Sequence, residues 1–209
     1  MCYSKRVSAV TFVFNLFGSI ALYQLGSIST LQRLAVFFFW IGLQQLYDWI
    51  FWTWSPPSQI NSFVTKLAMI SNHLQPIVLF VVSEKQKQNL LSLGLLLLYT
   101  IYIAIYTARI WSVVDYTEVT PSSGSSLEWK WNNQVGGGFV YFLFMLSFLV
   151  QFLIGFTSPW NVLMCGFSLL SYLIAWFDWN KQHVVGRGWC WLGALGPGLV
   201  LTLDLLVFS

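Results

Sequence analysis

Residues 90–110 read LLSLGLLLLYTIYIAIYTARI, and this stretch decides the fold class. Its only charged residue is Arg109, next to its last position. An α-helix rises about 1.5 Å per residue, so a helix of this length crosses the roughly 30 Å hydrocarbon core of a bilayer. The stretch therefore predicts a membrane-spanning helix.

Six further apolar blocks of similar length lie on either side of this stretch. They cover residues 7–25, 34–52, 60–82, 138–156, 160–177 and 188–208. Charged residues make up only 8% of the chain, against roughly 25% in an ordinary soluble domain. The sequence therefore predicts an all-α integral membrane protein, a compact bundle of seven transmembrane helices that forms one domain over residues 1–209. The lipid bilayer is its expected partner, and the net charge of +3 gives no reason to expect nucleic acid.

The connections between the blocks predict a bundle with two unlike ends. Short connections, LGSISTLQR, SEKQKQN and TSP, lie at one end, called here the plain end. The other end, called the N-terminal end, carries WSPPSQ, the extramembrane loop of about residues 111–135, and DWNKQHVVGRG. The long loop contains the turn sequence PSSGSS and predicts a cap or short hairpin. We expect its Trp129 and Trp131 to act as anchors at the level of the lipid headgroups.

Polar side chains at membrane depth are costly, so they mark candidate functional residues. In the second block, QQLYDW places Gln44 and Gln45 four and three residues before Asp48, and this spacing puts the three side chains along one side of a helix. Asp48 lies about one turn from the N-terminal end. The second block therefore predicts one polar wall of a pocket that opens at that end.

The third block contains a second polar group in the sequence NHLQP. Asn72 and His73 lie about halfway along the block, Gln75 follows, and Pro76 cannot donate a backbone hydrogen bond to the carbonyl of Asn72. Lys66 is seven residues before His73, on roughly the same face. We expect these side chains to line the pocket, with His73 deepest.

The last block begins with GWCWLGALGPG, which places Cys190 in the first turn of a helix at the N-terminal end. Gly193 and Gly196 permit close approach of a neighbouring helix. Since the second helix runs toward the N-terminal end, while the first, third and seventh leave it, Cys2, Asp48 and Cys190 are predicted to meet there.

Cys2, Asp48, His73 and Cys190 together form a candidate metal site. Thiolate, imidazole and carboxylate are the donors that zinc prefers, and an open coordination position would activate water for hydrolysis. The alternative is ordinary packing, in which Asp48 pairs with Lys66 and the cysteines act as small apolar groups. Cys2 is also a candidate for palmitoylation.

Three functions follow from these features. The first is a channel-like or transporter-like pocket, open to the N-terminal face, that binds or passes a small solute, proton or ion. The second is a membrane-embedded zinc-dependent hydrolase that uses the same residues. The third is a non-catalytic subunit of a larger membrane assembly, or a homo-oligomer. A retinal Schiff base is not expected, because residues 188–209 contain no lysine.

Four motifs carry a resemblance to a known family. MCYSKRVS at the start, QQLYDWIFW in the second block, NHLQP in the third and WCW in the last occur in the same order in an uncharacterised group of small multi-pass membrane proteins. The chain resembles these proteins, which are found in bacteria and in large DNA viruses and have N-termini that read MCFSATAS or MCYNKE. The resemblance implies a multi-pass fold and a site near these motifs; it implies no particular reaction.

Overall fold

The structure, a computed structural model, describes residues 4–83, 89–120, 126–179 and 185–208, and most of them are helical. The helices are α1 (Lys5–Leu25), α2 (Ser29–Thr53), α3 (Gln59–Val82), α4 (Leu90–Ile110), α5 (Gly137–Gly155), α6 (Trp160–Trp179), α7 (Val185–Ala194) and α8 (Gly196–Leu203). A π-helical turn, Asp204–Phe208, continues α8. Between α4 and α5, strands β1 (Glu118–Thr120) and β2 (Ser126–Glu128) form an antiparallel hairpin that is followed by a 3-10 turn, Lys130–Asn132.

The predicted helical fold is confirmed, since each apolar block lies within one or two helices of the described chain. Five helices, α1 to α5, are long and apolar enough to cross a membrane. The bent pair α7 and α8 adds a sixth if the two form one span, and the apolar part of α6, Trp160–Ile174, is shorter. Seven spanning helices therefore stay a prediction, and the hairpin is a small β element in an otherwise helical fold.

Polar side chains fix where three of the helices begin. The Ser4 hydroxyl accepts a hydrogen bond from the backbone of Val7 at the start of α1, and Ser58 caps α3 in the same way. The Asn89 side chain accepts from two backbone amides at the start of α4. These caps satisfy amides that a helix leaves without a partner, so each apolar stretch starts at a defined residue.

Helix α2 is at the centre of the bundle and packs against α1, α3, α7 and α8. Small residues make these approaches close. A methyl group added at Gly42 would lie 1.9 Å from the Asn15 side-chain oxygen of α1, and one added at Gly196 would lie 2.2 Å from the Phe38 ring. The predicted close approach at Gly196 is thus confirmed.

A break at Leu195 separates α7 from α8 and bends the pair by 41°. Pro197 accounts for it, because proline has no amide to donate to the preceding turn. The Asn15 amide of α1 donates to the Ala194 carbonyl at 2.9 Å and to the Phe38 carbonyl at 3.1 Å. Asn15 therefore joins α1, α2 and the break, and it is a structural side chain.

Aromatic rings fill the core between α2 and α5 on the plain-end side. The ring centroid of Phe37 lies 5.5 Å from that of Phe148 and 5.7 Å from that of Phe152. Phe37 is seven residues closer to the plain end than Gln44 on the same helix. This aromatic layer (Phe37, Phe148 and Phe152) therefore closes the core beneath the polar residues of α2.

Candidate functional site

The site is built on α3, in the two turns before Pro76. Three side chains donate to backbone carbonyls there: Gln44 Nε2 to Ala68 at 3.2 Å, Trp40 Nε1 to Ser71 at 3.0 Å, and Tyr99 Oη to His73 at 2.7 Å. A buried carbonyl that lacks water needs such donors. These bonds hold α2 and α4 against α3, so the side chains around them have fixed positions.

Cys190 of α7 lies against two amides of α3. Asn72 Nδ2 is 3.8 Å from its sulfur atom and Gln75 Nε2 is 3.7 Å away, and the thiol is completely buried. Asn72 and Gln75 can both reach it because residues three apart share one face of a helix. The NHLQP motif of α3 and the WCW motif of α7 are therefore in contact through Cys190.

The remaining polar residues of α2 lie beside this contact. Helices α2 and α7 run in opposite directions, and Gly193 faces Ile41 closely enough that a methyl group there would lie 3.1 Å away. One turn further toward the N-terminal end, Cys190 therefore lies level with Gln45. Asp48 is completely buried one turn beyond Gln44, on the same face of α2. These residues form the central polar cluster: Gln44, Gln45, Asp48, Asn72, Gln75 and Cys190.

The hairpin segment covers the cluster from the N-terminal end. Trp129 Nε1 donates to Asp48 Oδ1 at 3.1 Å, and the Trp131 ring stacks on Trp129 with 4.9 Å between centroids. The Tyr106 hydroxyl donates to the Trp131 backbone carbonyl at 2.6 Å. Both indoles are 0% exposed, so the expectation that they anchor the loop at the headgroups is wrong. We call this pair the tryptophan cover.

A signal for the tryptophan cover is present in the sequence. In LEWKWN, Leu127, Trp129 and Trp131 alternate with polar residues, and such alternation predicts a strand with one buried face. Indoles with an N–H donor also pack inward when a buried acceptor is available. The carboxylate of Asp48 is that acceptor for Trp129, whereas the Trp131 N–H has no partner among the described residues.

Asn61 fixes the start of the hairpin segment. Its Nδ2 donates to the carbonyls of Trp54 at 2.8 Å and Thr117 at 3.1 Å, and its Oδ1 accepts from the Thr117 amide at 3.0 Å. Thr65 adds a hydroxyl contact to Thr117 at 3.0 Å. Asn61 therefore ties the chain before β1 to α3, and this contact positions the tryptophan cover over the cluster.

Two predicted pocket residues lie outside the cluster. His73 Nδ1 is 2.8 Å from the Thr107 hydroxyl of α4, because each step along a helix turns the side chain by about 100° and directs His73 away from Gln75. Lys66 Nζ is 4.0 Å from Asp115 Oδ1 and 5.1 Å from the centroid of the Trp111 ring. The alternative in which Lys66 pairs with Asp48 is therefore wrong.

The described residues hold no group of three or more His, Cys, Asp and Glu side chains placed to bind a metal ion. Cys2 lies outside the described residues, so the zinc set of Cys2, Asp48, His73 and Cys190 stays a prediction. His73 contacts α4, whereas Cys190 contacts the cluster face of α3.

The cluster contains buried polar atoms that find no hydrogen-bond partner among the described residues. They are Gln44 Oε1, Gln45 Oε1 and Nε2, Asn72 Oδ1 and Gln75 Oε1. Tyr141 Oη of α5 and Trp189 Nε1 of α7 also lack a hydrogen-bond partner among the described residues. Both residues line a narrow space beside Asn72. Tyr141 and Trp189 were not predicted to be site residues, because in the sequence they look like ordinary aromatic residues of apolar helices.

This set of atoms has a definite chemical character. Four amide oxygens lack a donor, whereas Gln45 and Trp189 contribute unpartnered N–H groups. The Asp48 carboxylate adds a buried acid to α2. Each unsatisfied buried group costs about 1–3 kcal/mol. The arrangement suits a small cation or a solute rich in hydrogen-bond donors, since such a species supplies what the oxygens lack.

Comparison of the chain with protein-family models, with curated proteins and with solved structures finds no match in any of the three. The resemblance to the proteins with MCFSATAS or MCYNKE N-termini therefore stays a prediction. The functional interpretation of the cluster rests on its geometry.

Proposed function

We propose that the chain is a seven-helix, multi-pass integral membrane protein whose central polar cluster binds or passes a small cation, a proton or a donor-rich solute. Insertion into a bilayer is supported by the five long apolar helices and by their exposed aliphatic and aromatic side chains. Such a surface is suited to contact with lipid, because in water it would expose a large apolar area to the solvent.

One observation carries the proposal: the facing helices α2 and α3 bury several amide oxygens without a donor, and α2 also buries a carboxylate. Gln44, Gln45, Asn72 and Gln75 each contribute such an oxygen, and Asp48 is completely buried one turn beyond Gln44 on α2. A bilayer core supplies no water to such groups, and each costs several kcal/mol there if nothing satisfies it. Polar side chains retained in this setting are functional by default.

The cluster is enclosed at both ends, which favours an occluded binding site over an open pore. The tryptophan cover closes it toward the N-terminal end through the Trp129 contact to Asp48. The aromatic layer of Phe37, Phe148 and Phe152 closes it toward the plain end. A solute would enter when the cover moves, because the cover is a loop segment while the aromatic layer belongs to packed helices.

The test is a binding and flux assay on protein reconstituted in liposomes, with Asp48→Asn against wild type. Asp115→Asn is the matched control, because Asp115 is an exposed acid at the same end that pairs with Lys66. The probes are Na⁺, K⁺, NH₄⁺, guanidinium and H⁺. Hydrogen bonds to a charged group contribute about 1.5–3 kcal/mol, so we expect Asp48→Asn to weaken binding or slow flux at least about tenfold.

Two results would contradict the proposal. One is wild-type protein that neither conducts any of these ions nor is thermally stabilised by them. The other is Asp115→Asn lowering the signal as much as Asp48→Asn, since the effect would then come from surface charge.

A further inference from the structure

An apolar groove runs along the outside of the bundle between α1 and α2. Its wall is formed mainly by Leu16, Ile20, Ala35, Val36 and Phe39. At its plain-end limit it meets a second, more polar depression, and Tyr23 and Val36 line both. The two depressions therefore form one continuous surface site with an apolar part and a polar part.

The polar part carries a cation and several hydrogen-bonding groups. Arg33, Gln32 and Ser29 line it together with Tyr23, and Gln24 lies where it meets the groove. None of the described residues that line either part is acidic. Guanidinium groups bind phosphate oxygens by paired, charge-assisted hydrogen bonds. The polar part is therefore complementary to an anionic phosphate group.

The depth of the site matches half of a bilayer. On α1 the lining residues extend from Gln24 to Leu16, and eight residues of helix cover about 12 Å. Half of a typical hydrocarbon core is about 15 Å. With Arg33 near the start of α2, the polar part lies where the headgroups would be, and the apolar part extends toward the midplane.

We propose that this surface is a binding site for an anionic phospholipid, with its phosphate at Arg33 and Gln32 and one acyl chain in the groove along Leu16, Ile20 and Phe39. The inference rests on the membrane insertion that belongs to the proposed function, but not on the central polar cluster. The Arg33 guanidinium also donates to the Val82 carbonyl of α3 at 3.2 Å, which places the cation at the groove.

The test is native mass spectrometry of the full chain in detergent with added phosphatidylglycerol or phosphatidylcholine. A basic side chain at the membrane surface contributes about 1 kcal/mol to the binding of anionic lipid, so we expect Arg33→Gln to reduce phosphatidylglycerol retention about fivefold. Phosphatidylcholine retention should fall less, because its choline cation offsets the phosphate charge. Arg109→Gln, an exposed arginine at the other end of the bundle, is the matched control and should retain the lipid.

A second variant tests the groove itself. Val36 is 44% exposed and lines both parts, so Val36→Trp would fill the groove without disturbing the core. We expect it to lower retention of both lipids. Equal retention of the two lipids by wild type, or equal losses in Arg33→Gln and Arg109→Gln, would overturn the proposal. Since Asp48→Asn should bind lipid like wild type, failure of the lipid site and failure of the solute site are separately visible.

Discussion

Replacing Gln45 with leucine should stabilise the protein and weaken solute binding. Gln45 is completely buried on α2, and neither its Oε1 nor its Nε2 has a partner among the described residues. A buried group in this state costs about 1–3 kcal/mol. Leucine has nearly the same volume, and an imperfect fit costs less than about 1.5 kcal/mol. The expected net gain in the free energy of unfolding is about 2 kcal/mol.

Gln44→Leu is the matched control, because Gln44 is one residue away, equally buried and also an amide. Its Nε2 donates to the Ala68 carbonyl, so leucine at this position would break a bond and leave that carbonyl without its donor. A net contribution of about 1 kcal/mol is typical for such a bond. We therefore expect Gln44→Leu to be less stable than Gln45→Leu by about 1–2 kcal/mol.

Thermal unfolding in detergent, followed by intrinsic tryptophan fluorescence, measures both variants. For a chain of this size 1 kcal/mol shifts Tm by about 2–4 °C, so Gln45→Leu should unfold about 4–8 °C above wild type. In the cation titration proposed for Asp48→Asn, Gln45→Leu should bind about two- to tenfold more weakly than wild type, because a neutral hydrogen bond contributes about 0.5–1.5 kcal/mol. A Tm below that of wild type, or unchanged binding, would refute the reasoning, since Gln45 would then have structural partners.

Three further predictions concern the packing and the predicted metal. Gly42→Ala should destabilise the fold by about 1–3 kcal/mol, because the new methyl group would lie 1.9 Å from an α1 side-chain oxygen. Gly94→Ala is the control: its methyl group would enter open space, so the variant should be neutral in the same unfolding assay. Asn61→Ala would leave three backbone groups without their partner, so we expect a loss of about 3 kcal/mol; an equal loss in the exposed Asn133→Ala would contradict this. Elemental analysis tests the predicted zinc site: stoichiometric zinc that Cys190→Ser and His73→Ala both remove would confirm it, and wild-type protein without stoichiometric zinc would contradict it.

The helices could be predicted from the sequence because their determinants are local. The boundaries of α4 follow directly from an apolar block that Asn89 caps at one end. The number of blocks also sets each helix direction, and thus the end of the bundle at which Cys190 is expected. Its contact with Asn72 and Gln75, halfway along α3, could not be predicted in this way, because depth along the bundle depends on packing.

The orientation of individual side chains could not be predicted in the same way. Asn72 faces the cluster and His73 faces α4, although they are neighbours in the sequence, because one step along a helix turns the side chain by about 100°. The rotation of α3 about its axis is set by packing against helices that are distant in sequence. The position of Trp129 could not be predicted for a related reason. A tryptophan in a loop is expected at the headgroups, whereas the buried acceptor of Trp129 belongs to α2, which is distant in the sequence.

The structure also limits what opening the site can cost. The tryptophan cover must release two hydrogen bonds, one from Trp129 to Asp48 and one from Tyr106 to the Trp131 carbonyl, while the Asn61 contacts to Thr117 can stay in place. A bond to a charged group contributes about 1.5–3 kcal/mol and a neutral one about 1 kcal/mol, and the two indoles, which are completely buried, would lose apolar contacts as well. The two bonds therefore set only a lower limit of about 2.5 kcal/mol on the cost of opening. At about 1.4 kcal/mol per factor of ten, the open state is populated at no more than a few per cent. A solute of the kind proposed would have to bind Asp48 more strongly than the Trp129 indole does to hold the cover open.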